Sequence, residues 1–496
     1  MNNKKYFNSS NKVFSWLDKY INLERGQKPK SFLLERMEVL TELANHPERC
    51  APSIHIAGSK GKGSVTGMLS AMLTAAGFRA ARYMSPHVVD IRERICLGDS
   101  YFDEEIYVSA GDELRHITED LLPAKNNTLF DINEPNGSEP TFWELLTLLF
   151  FLCARQAKCD AMVVETGMGG RLDSTNVLDP LVTVITLIEL EHTSILGGTI
   201  AEIAGEKAGI IKSGKPLILA KQNNEALKVF VEKAKEKNSP IYYYPEIAEL
   251  SKLNITKQGT EFDLSFNVNN ISNNSSTPHS AHYTLKIPLP GKVQAENASL
   301  AVAALNVFFN EISHTKTQIS GELNRKLTAQ GVVLDKAIRD GLANFRIPGR
   351  FENITSKYTR GDIPFIIDGA HTAESFSLCV DTFCSLYGEG GVLIFGCAAD
   401  KDAAAMAKPA CGKFSKIIIT TPGTFKISDP AKVYETFAKE AGQEKTELVK
   451  DTNEAVRQTQ CYAKENNLPI LGAGSFYLVS EIRKIVLNQP YSEPAR

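Results

Sequence analysis

Long apolar runs are missing from this chain of 496 residues, so no stretch of it has the length of a membrane span. An excess of one charge is missing too. Lysine and arginine number 55 against 58 aspartates and glutamates, which leaves neither the basic footprint of a nucleic-acid binder nor a polybasic membrane signal. The nine cysteines form no C-x-x-C pair and no zinc spacing, and most sit in apolar segments. They read as reduced core thiols, which predicts a cytoplasmic protein. The first eleven residues are polar and carry no apolar h-region, so no secretory signal is read there. What remains is a chain too long for one ordinary domain, with two or three expected. Its expected partners are small molecules rather than nucleic acid or membrane, with a monomer as the expected state. A small anionic ligand held by local basic groups is compatible with the charge balance.

The stretch that organises the chain is Ile54-His55-Ile56-Ala57-Gly58-Ser59-Lys60-Gly61-Lys62-Gly63-Ser64-Val65. A short apolar strand at 53–57 breaks into glycines around Lys62, and residues 65–76 then follow helical spacing through Val65, Leu69, Met72 and Leu73. Glycines let backbone N–H groups turn onto phosphate oxygens, and the helix N-terminus adds partial positive charge. In such a cradle Lys62 reaches the terminal phosphates and Ser64 ligates Mg²⁺. The strict pattern G-x-x-x-x-G-K-[ST] is broken because Gly63 separates Lys62 from Ser64. An ordinary Gly-rich turn is the alternative.

Two helices are read within 12–45, a second strand at 79–84 ending at Ser85-Pro86-His87, and a surface loop or insertion at 117–139. An apolar helix at 141–153 is followed by a buried strand at 161–164 ending on Glu165, then Gly167-Met168-Gly169-Gly170. A carboxylate at a buried strand's exit points to metal binding or water positioning. A further strand at 181–190 ends on Glu191-His192-Thr193, and Thr199 with Glu202 forms a capping box opening a helix. Lys207 falls on that helix's apolar side, either snorkelling or desolvated for function; patterning favours snorkelling. Residues 243–285 read as β-rich with one long Asn/Ser-rich loop. Asn297 opens an Ala-rich helix at 291–307, and 334–344 is amphipathic. The pattern changes at Arg346-Ile347-Pro348-Gly349-Arg350, which sets expected domains at 1–347 and 348–496. Five successive βα units follow, predicting a smaller doubly wound parallel sheet, with Asp368 and His371 at its first strand's end. A nucleotide clamped between two α/β domains, with Mg²⁺ on oxygen and imidazole ligands, serves a kinase, an ATP-dependent ligase or a nucleotide switch. Physics alone does not choose.

Resemblance does. The run Gly58-Ser59-Lys60-Gly61-Lys62-Gly63-Ser64 resembles the G-T-N-G-K-G-[ST] loop of folylpolyglutamate synthases and dihydrofolate synthases, in the Mur ligase superfamily, and that loop has the same extra glycine. Ser85-Pro86-His87 with Glu93-Arg94-Ile95 resembles S-P-H…E-R-I. The run from Glu165 to Asn176 resembles E-V-G-L-G-G-R-L-D-A-T-N, and His192-Thr193-Ser194-Ile195-Leu196-Gly197 with Glu206-Lys207-Ala208-Gly209-Ile210 resembles D-H-T-x-x-L-G…E-K-A-G-I. Pro348-Gly349-Arg350-Phe351-Glu352, Asp368-Gly369-Ala370-His371 and Gly474-Ser475-Phe476-Tyr477-Leu478-Val479 follow in family order.

The resemblance implies an α/β P-loop ATPase domain of Mur-ligase type with a small β-rich subregion, plus a smaller C-terminal α/β ligase domain. It implies an ATP-dependent ligase that makes an acyl phosphate on a pterin or folate carboxylate and joins L-glutamate to it. ATP then contacts Gly58, Ser59, Lys60, Gly61, Lys62, Gly63, Ser64, Asn297, Arg350, Asp368 and His371. Mg²⁺, as one or two ions, is held by Ser64, Ser85, Glu165 and His192. Lys207, His192 and Lys62 are the catalytic set, with Lys207 at the position the family carries as a carbamate. Thr141, Phe142, Trp143, Glu144, Leu172, Asp173 and Ser174 match the pterin pocket, with Phe142 offering a stacking face or, alternatively, sitting in the core. Glu191 stands where the family has Asp, Val293 where it has His, and Thr372 where it commonly has Asn. The last tilts toward folylpolyglutamate synthase activity. A cell-wall Mur ligase and a non-ligase ATP-binding regulator are the competing readings.

Overall fold

The computed structural model describes residues 5–22, 27, 32–125, 127–131, 138–267, 282–314, 334–355, 363–423 and 427–487. Its described strands form three sheets. The first takes β1 (Ser53–Ala57), β2 (Ala80–Tyr83), β3 (Ile95–Leu97), β4 (Ser100–Tyr101), β5 (Ala161–Glu165), β6 (Val182–Ile185), β7 (Leu217–Leu219) and β8 (Ile241–Tyr243) in the order β4-β3-β2-β5-β1-β6-β7-β8. The run from β2 to β8 is parallel, and only β3 and β4 are antiparallel. Its inner strands are buried on both faces, which is why they read as near-continuous apolar runs. One face carries helices Lys62–Ala75, Lys292–His314 and Leu334–Asn344; the other carries Ser10–Leu17, Leu34–Leu43, Glu104–His116 and Phe142–Gln156. Glycine permits the closest approach on the first face: a Cβ at Gly341 would stand 2.6 Å from the Met72 Cα.

The second sheet is antiparallel, β9 (Ala248–Thr256), β10 (Gly259–Phe266) and β11 (His282–Ile287), and its apolar face joins the core under helix Lys292–His314. This is the β-rich subregion read from 243–285; most of its Asn/Ser-rich stretch lies outside the described residues. The third sheet takes β12 (Glu352–Asn353), β13 (Phe365–Asp368), β14 (Gly391–Phe395), β15 (Phe414–Ile419), β16 (Thr446–Leu448) and β17 (Ile470–Ala473) in the order β12-β13-β17-β14-β15-β16. All its pairings are parallel except the short edge strand β12, and cores line both faces, as in a doubly wound fold. Val88, from the loop after β2, packs into this third sheet's core beside Ile367 and Val479.

Three readings change. The segment 117–139 is not a plain loop: helix Glu104–His116 runs on through a π-helical turn, Ile117–Leu121, to Leu122–Ala124, with Ile117 and Leu122 buried. Asn127–Asp131 is then tied down by Arg36, whose buried guanidinium bonds Leu129 O and packs over the Phe130 ring at 4.3 Å. The apolar strand read at 181–190 stops at Ile185, because the following residues leave the sheet and Leu187 O accepts from the N–H groups of Ser59 and Lys60. Finally, β7, helix Asn224–Glu236 and β8 extend the first sheet by a βαβ unit that the sequence patterning passed over.

Candidate active site

Strands β2, β5, β1 and β6 lie side by side and parallel, so their C-terminal ends open on one edge of the sheet, where α/β proteins gather ligand groups. The loop after β1 enters helix Lys62–Ala75 through Gly61, in left-handed backbone at φ 86°. A Cβ at Gly61 would meet the Asn297 Oδ1 at 2.4 Å, so Asn297 sits against the turn. The amides of Ser59 and Lys60 are engaged with Leu187 O, whereas the first-turn N–H groups of the helix, at Lys62, Gly63 and Ser64, are donors that a phosphate can take up.

Two carboxylates flank this loop. Glu165, ending β5, is 3 % exposed, accepts from the Ser85 N–H at 3.2 Å, and lies 3.5 Å from where a Gly63 Cβ would stand. Burial pushes its carboxyl up to about 7, against the pull of Lys62, the Ser85 N–H and Arg350. Glu191, after β6, is held down to about 2: burial pushes it up, but Lys62 and Lys207 overrule that. The Lys207 Nζ sits 2.7 Å from Glu191 and donates to Gly58 O at 2.8 Å, the same carbonyl that accepts from Lys62 at 2.8 Å. Lys207 is 1 % exposed, so it does not snorkel; the ion pair replaces water. Burial, then the Lys62 charge, draws its amine down to about 8. His192 occupies left-handed backbone at φ 46°, a strained placement of the kind that gathers at functional sites. Its ring is held below its ordinary value by the surrounding protein, then by Lys62 and Lys401, against Glu191.

From the third sheet come Arg350, stacked 3.9 Å over the Phe476 ring, and Asp368, whose oxygens accept from the Phe351 and Ala370 N–H groups at 2.8 Å each. Burial lowers Arg350 and raises Asp368, and each charge opposes that for the other; Glu165 also steadies the guanidinium, so its charge spans the gap between sheets. His371 donates from Nδ1 to Gly369 O at 2.9 Å and is pushed down to about 3 by burial, then by Lys60, which leaves a neutral ring. Lys401, on the loop after β14, was not read from sequence. Its charge is felt by Lys60, His192 and His371 together. The signal was present: Asp400-Lys401-Asp402 follows a buried strand's end, the placement that drew notice to Asp368.

The residues that match the family's pterin pocket divide. Phe142 is 2 % exposed within the core and offers no stacking face; Trp143 does, half-buried over Gly167 and 5.0 Å from the Arg94 guanidinium. Thr141 and Glu144 form a capping box for helix Phe142–Gln156, and Glu144 also binds the buried Arg36 at 2.7 Å, so both are spent on structure. Asp173 accepts from the N–H groups of Met168 at 2.9 Å and Thr175 at 3.0 Å, folding the 167–175 turn, with Leu172 and Ser174 partly buried beside it. Thr372 is the N-cap of helix Ala373–Tyr387, a role Asn fills equally well, so this departure says nothing of the acceptor. Val293 is 38 % exposed, one helical turn before Asn297. No group of three His, Cys, Asp or Glu side chains suited to a metal occurs among the described residues.

The fold and site define a ligase of Mur type. Residues 114–305 match the Mur ligase middle domain, and residues 349–476 match the Mur ligase, glutamate ligase domain. The dihydrofolate synthase/folylpolyglutamate synthase of Bacillus subtilis is 28 % identical over 472 residues, covering 95 % of this chain and 97 % of the relative. The Mycobacterium tuberculosis folylpolyglutamate synthase, solved with ADP and AMPPCP, superposes with a TM-score of 0.79 at 25 % identity over 97 % and 98 % of the two chains. A folylpolyglutamate synthase complex with AMPPCP and folate gives 0.74 at 26 % identity over 97 % and 100 %. The chain belongs to the folylpolyglutamate synthase and dihydrofolate synthase family of Mur ligases, and is an ATP-dependent, amide-forming glutamate ligase.

Proposed function

We propose that the chain joins the amine of L-glutamate to the carboxylate of dihydropteroate, of a reduced folate's γ-glutamyl tail, or of both. The observation that carries this is the convergence of Lys62, Glu165 and Glu191 at the mouth of the first sheet, faced by Arg350 and Asp368 from the third. Residues 1–347 and 348–496 are the two units that close on the nucleotide, with Arg350 reaching phosphate on closure. Lys62 and the first-turn amides hold the β- and γ-phosphates while the acceptor carboxylate oxygen attacks the γ-phosphorus and ADP leaves. The glutamate amine, in its neutral form, then attacks the acyl carbon, phosphate departs, and the nitrogen gives up one of its two protons as the amide forms. Lys60, Lys401 and neutral His371 line the side from which the doubly anionic glutamate enters.

The donor set fits Mg²⁺. A buried, under-neutralised Glu165, bonded to Ser85 and beside the Gly63–Ser64 turn, is an oxygen site for a hard cation, and His192 feels the same Lys62 charge. The metal supplies charge stabilisation on the transferring phosphoryl group. A carbamate on Lys207 fits the lowered amine, which furnishes the uncharged nitrogen that carbamylation needs. It would exchange the pair with Glu191 for a second anionic oxygen, so a cation must then stand between them. The nine thiols stand unpaired, and no described helix is long and apolar enough to cross a membrane; both suit a cytoplasmic enzyme.

The test incubates purified protein with ATP, Mg²⁺ and L-glutamate, with dihydropteroate or tetrahydrofolate in turn. Phosphate release that needs both glutamate and one acceptor is expected. Release indifferent to both acceptors would remove the folate assignment.

A further inference from the structure

One buried titratable group has no part in this chemistry. His55 stands mid-strand in β1 between Ile54 and Ile56, with no exposed surface. Strand alternation and its register opposite Val164 put it on the sheet face that also carries helix Phe142–Gln156. Its Nε2 lies 2.8 Å from the Thr175 Oγ1, and its Nδ1 has no hydrogen-bond partner.

The bonding order follows from proton counting. The Thr175 hydroxyl has one proton, and it goes to the Asp173 Oδ1, which collects backbone N–H donors and acts as an acceptor. The hydroxyl must therefore accept from His55, so the imidazole carries its proton on Nε2 and leaves Nδ1 bare. Burial holds the ring neutral. A directed chain results, from His55 to Thr175 to Asp173. The Asp173 Oδ2 in turn fixes the Met168 N–H at the start of the glycine turn. That turn meets both sides of the site. Gly167 lies under Trp143, and a Cβ at Gly170 would stand 3.0 Å from the Lys207 Cα. Asn176, next in the chain, clamps the same turn to the end of the Lys207 helix by donating to Arg171 O at 3.0 Å and Gly209 O at 3.2 Å.

We propose that His55 is a positioning residue of the acceptor site, setting the Thr175 hydroxyl and through it the Asp173 carboxylate and the glycine turn beneath Trp143. The inference rests on the acceptor reading of the Trp143–Asp173 side of the cleft. An apolar residue at 55 would fill the same space but leave the Thr175 lone pair unbonded and the dyad free to rotate.

The test compares wild type with His55→Leu, His55→Gln and Thr175→Val, measuring KM for the acceptor and for ATP separately. Whichever of dihydropteroate and tetrahydrofolate supports wild-type turnover is the probe; turnover with neither would sink the acceptor reading itself, before any variant is compared. His55→Leu should raise the acceptor KM about 10-fold, the scale of a lost hydrogen bond in a chain ending on a charged group, while the ATP KM stays put. His55→Gln keeps an N–H donor and should recover most of the loss. Thr175→Val should match His55→Leu, and the double variant should be no worse than either, because both cut one chain. Should His55→Leu fail to fold, Thr175→Val carries the same expectation. An unchanged acceptor KM, an equal rise for ATP and acceptor, no rescue by Gln, or additive losses would each overturn the proposal.

Discussion

Glu165 and Glu191 follow strands that flank β1 on either side, yet their surroundings drive them apart. Glu165 is pushed up to about 7 and Glu191 is held down to about 2. Both are shielded from water and both feel Lys62; what differs is the second cation. Glu191 has Lys207 at 2.7 Å, whereas Glu165 has a backbone N–H and the more remote Arg350. A carboxylate already neutralised by the protein is a structural partner for its lysine. One left short of positive charge is a place for a cation to arrive. Environments that separate two like groups in this way assign their roles.

The largest expected effect comes from removing what the two share. Lys62→Ala should cut kcat/KM for glutamate-dependent phosphate release by about 10³-fold or more, since it deletes the charge on the transferring phosphoryl group; activity within tenfold of wild type would break the assignment of the loop. Lys207→Ala should strand Glu191 and cost about 3 kcal/mol in denaturant unfolding, as for a broken buried ion pair. It should also lose activity without rescue by bicarbonate, and near-normal turnover would remove Lys207 from the catalytic set.

The pH dependence of stability sharpens the contrast, because the two groups act with opposite sign. Glu165 has a raised folded value, so the metal-free native state holds a proton that the unfolded chain releases. Stability should therefore fall as pH rises from the ordinary carboxylate range through about 7, by up to about 3 kcal/mol. Glu165→Gln should flatten that fall, melt higher than wild type at pH 8 without metal, and abolish the rise in Tm on adding Mg²⁺. Glu191 has a depressed folded value; its contribution is present above the ordinary range and is lost as pH falls toward about 2, a loss that Glu191→Gln should erase in acid melts. The smallest effect belongs to Thr372→Asn, where one good N-cap replaces another. Its stability change should lie within about 0.5 kcal/mol, with acceptor preference unchanged in competition assays.

Much of this was legible in the chain because it is local. The strand–glycine–lysine–helix order, the capping box at Thr199 and the βα succession after 350 are written in spacing and turn chemistry. Strand-end logic drew out Glu165 and Asp368 and would have drawn out Lys401 had it been carried to the next strand. What stayed hidden depends on partners far along the chain. The burial of Lys207 depends on Glu191 and on Gly58, 149 residues away, and the use of Glu144 depends on Arg36, 108 residues away. Whether Phe142 or Trp143 faces the cleft turns on a single step of helix phase, which periodicity in so strongly apolar a helix does not fix.

The central claim is that the cleft transfers a phosphoryl group to the acceptor's carboxylate before the amide forms. An acceptor labelled with ¹⁸O in its reacting carboxylate, turned over with ATP, Mg²⁺ and L-glutamate, tests it directly by mass spectrometry of the released phosphate. One labelled oxygen in each phosphate is the expected result; unlabelled phosphate alongside normal amide formation would contradict the acyl-phosphate account.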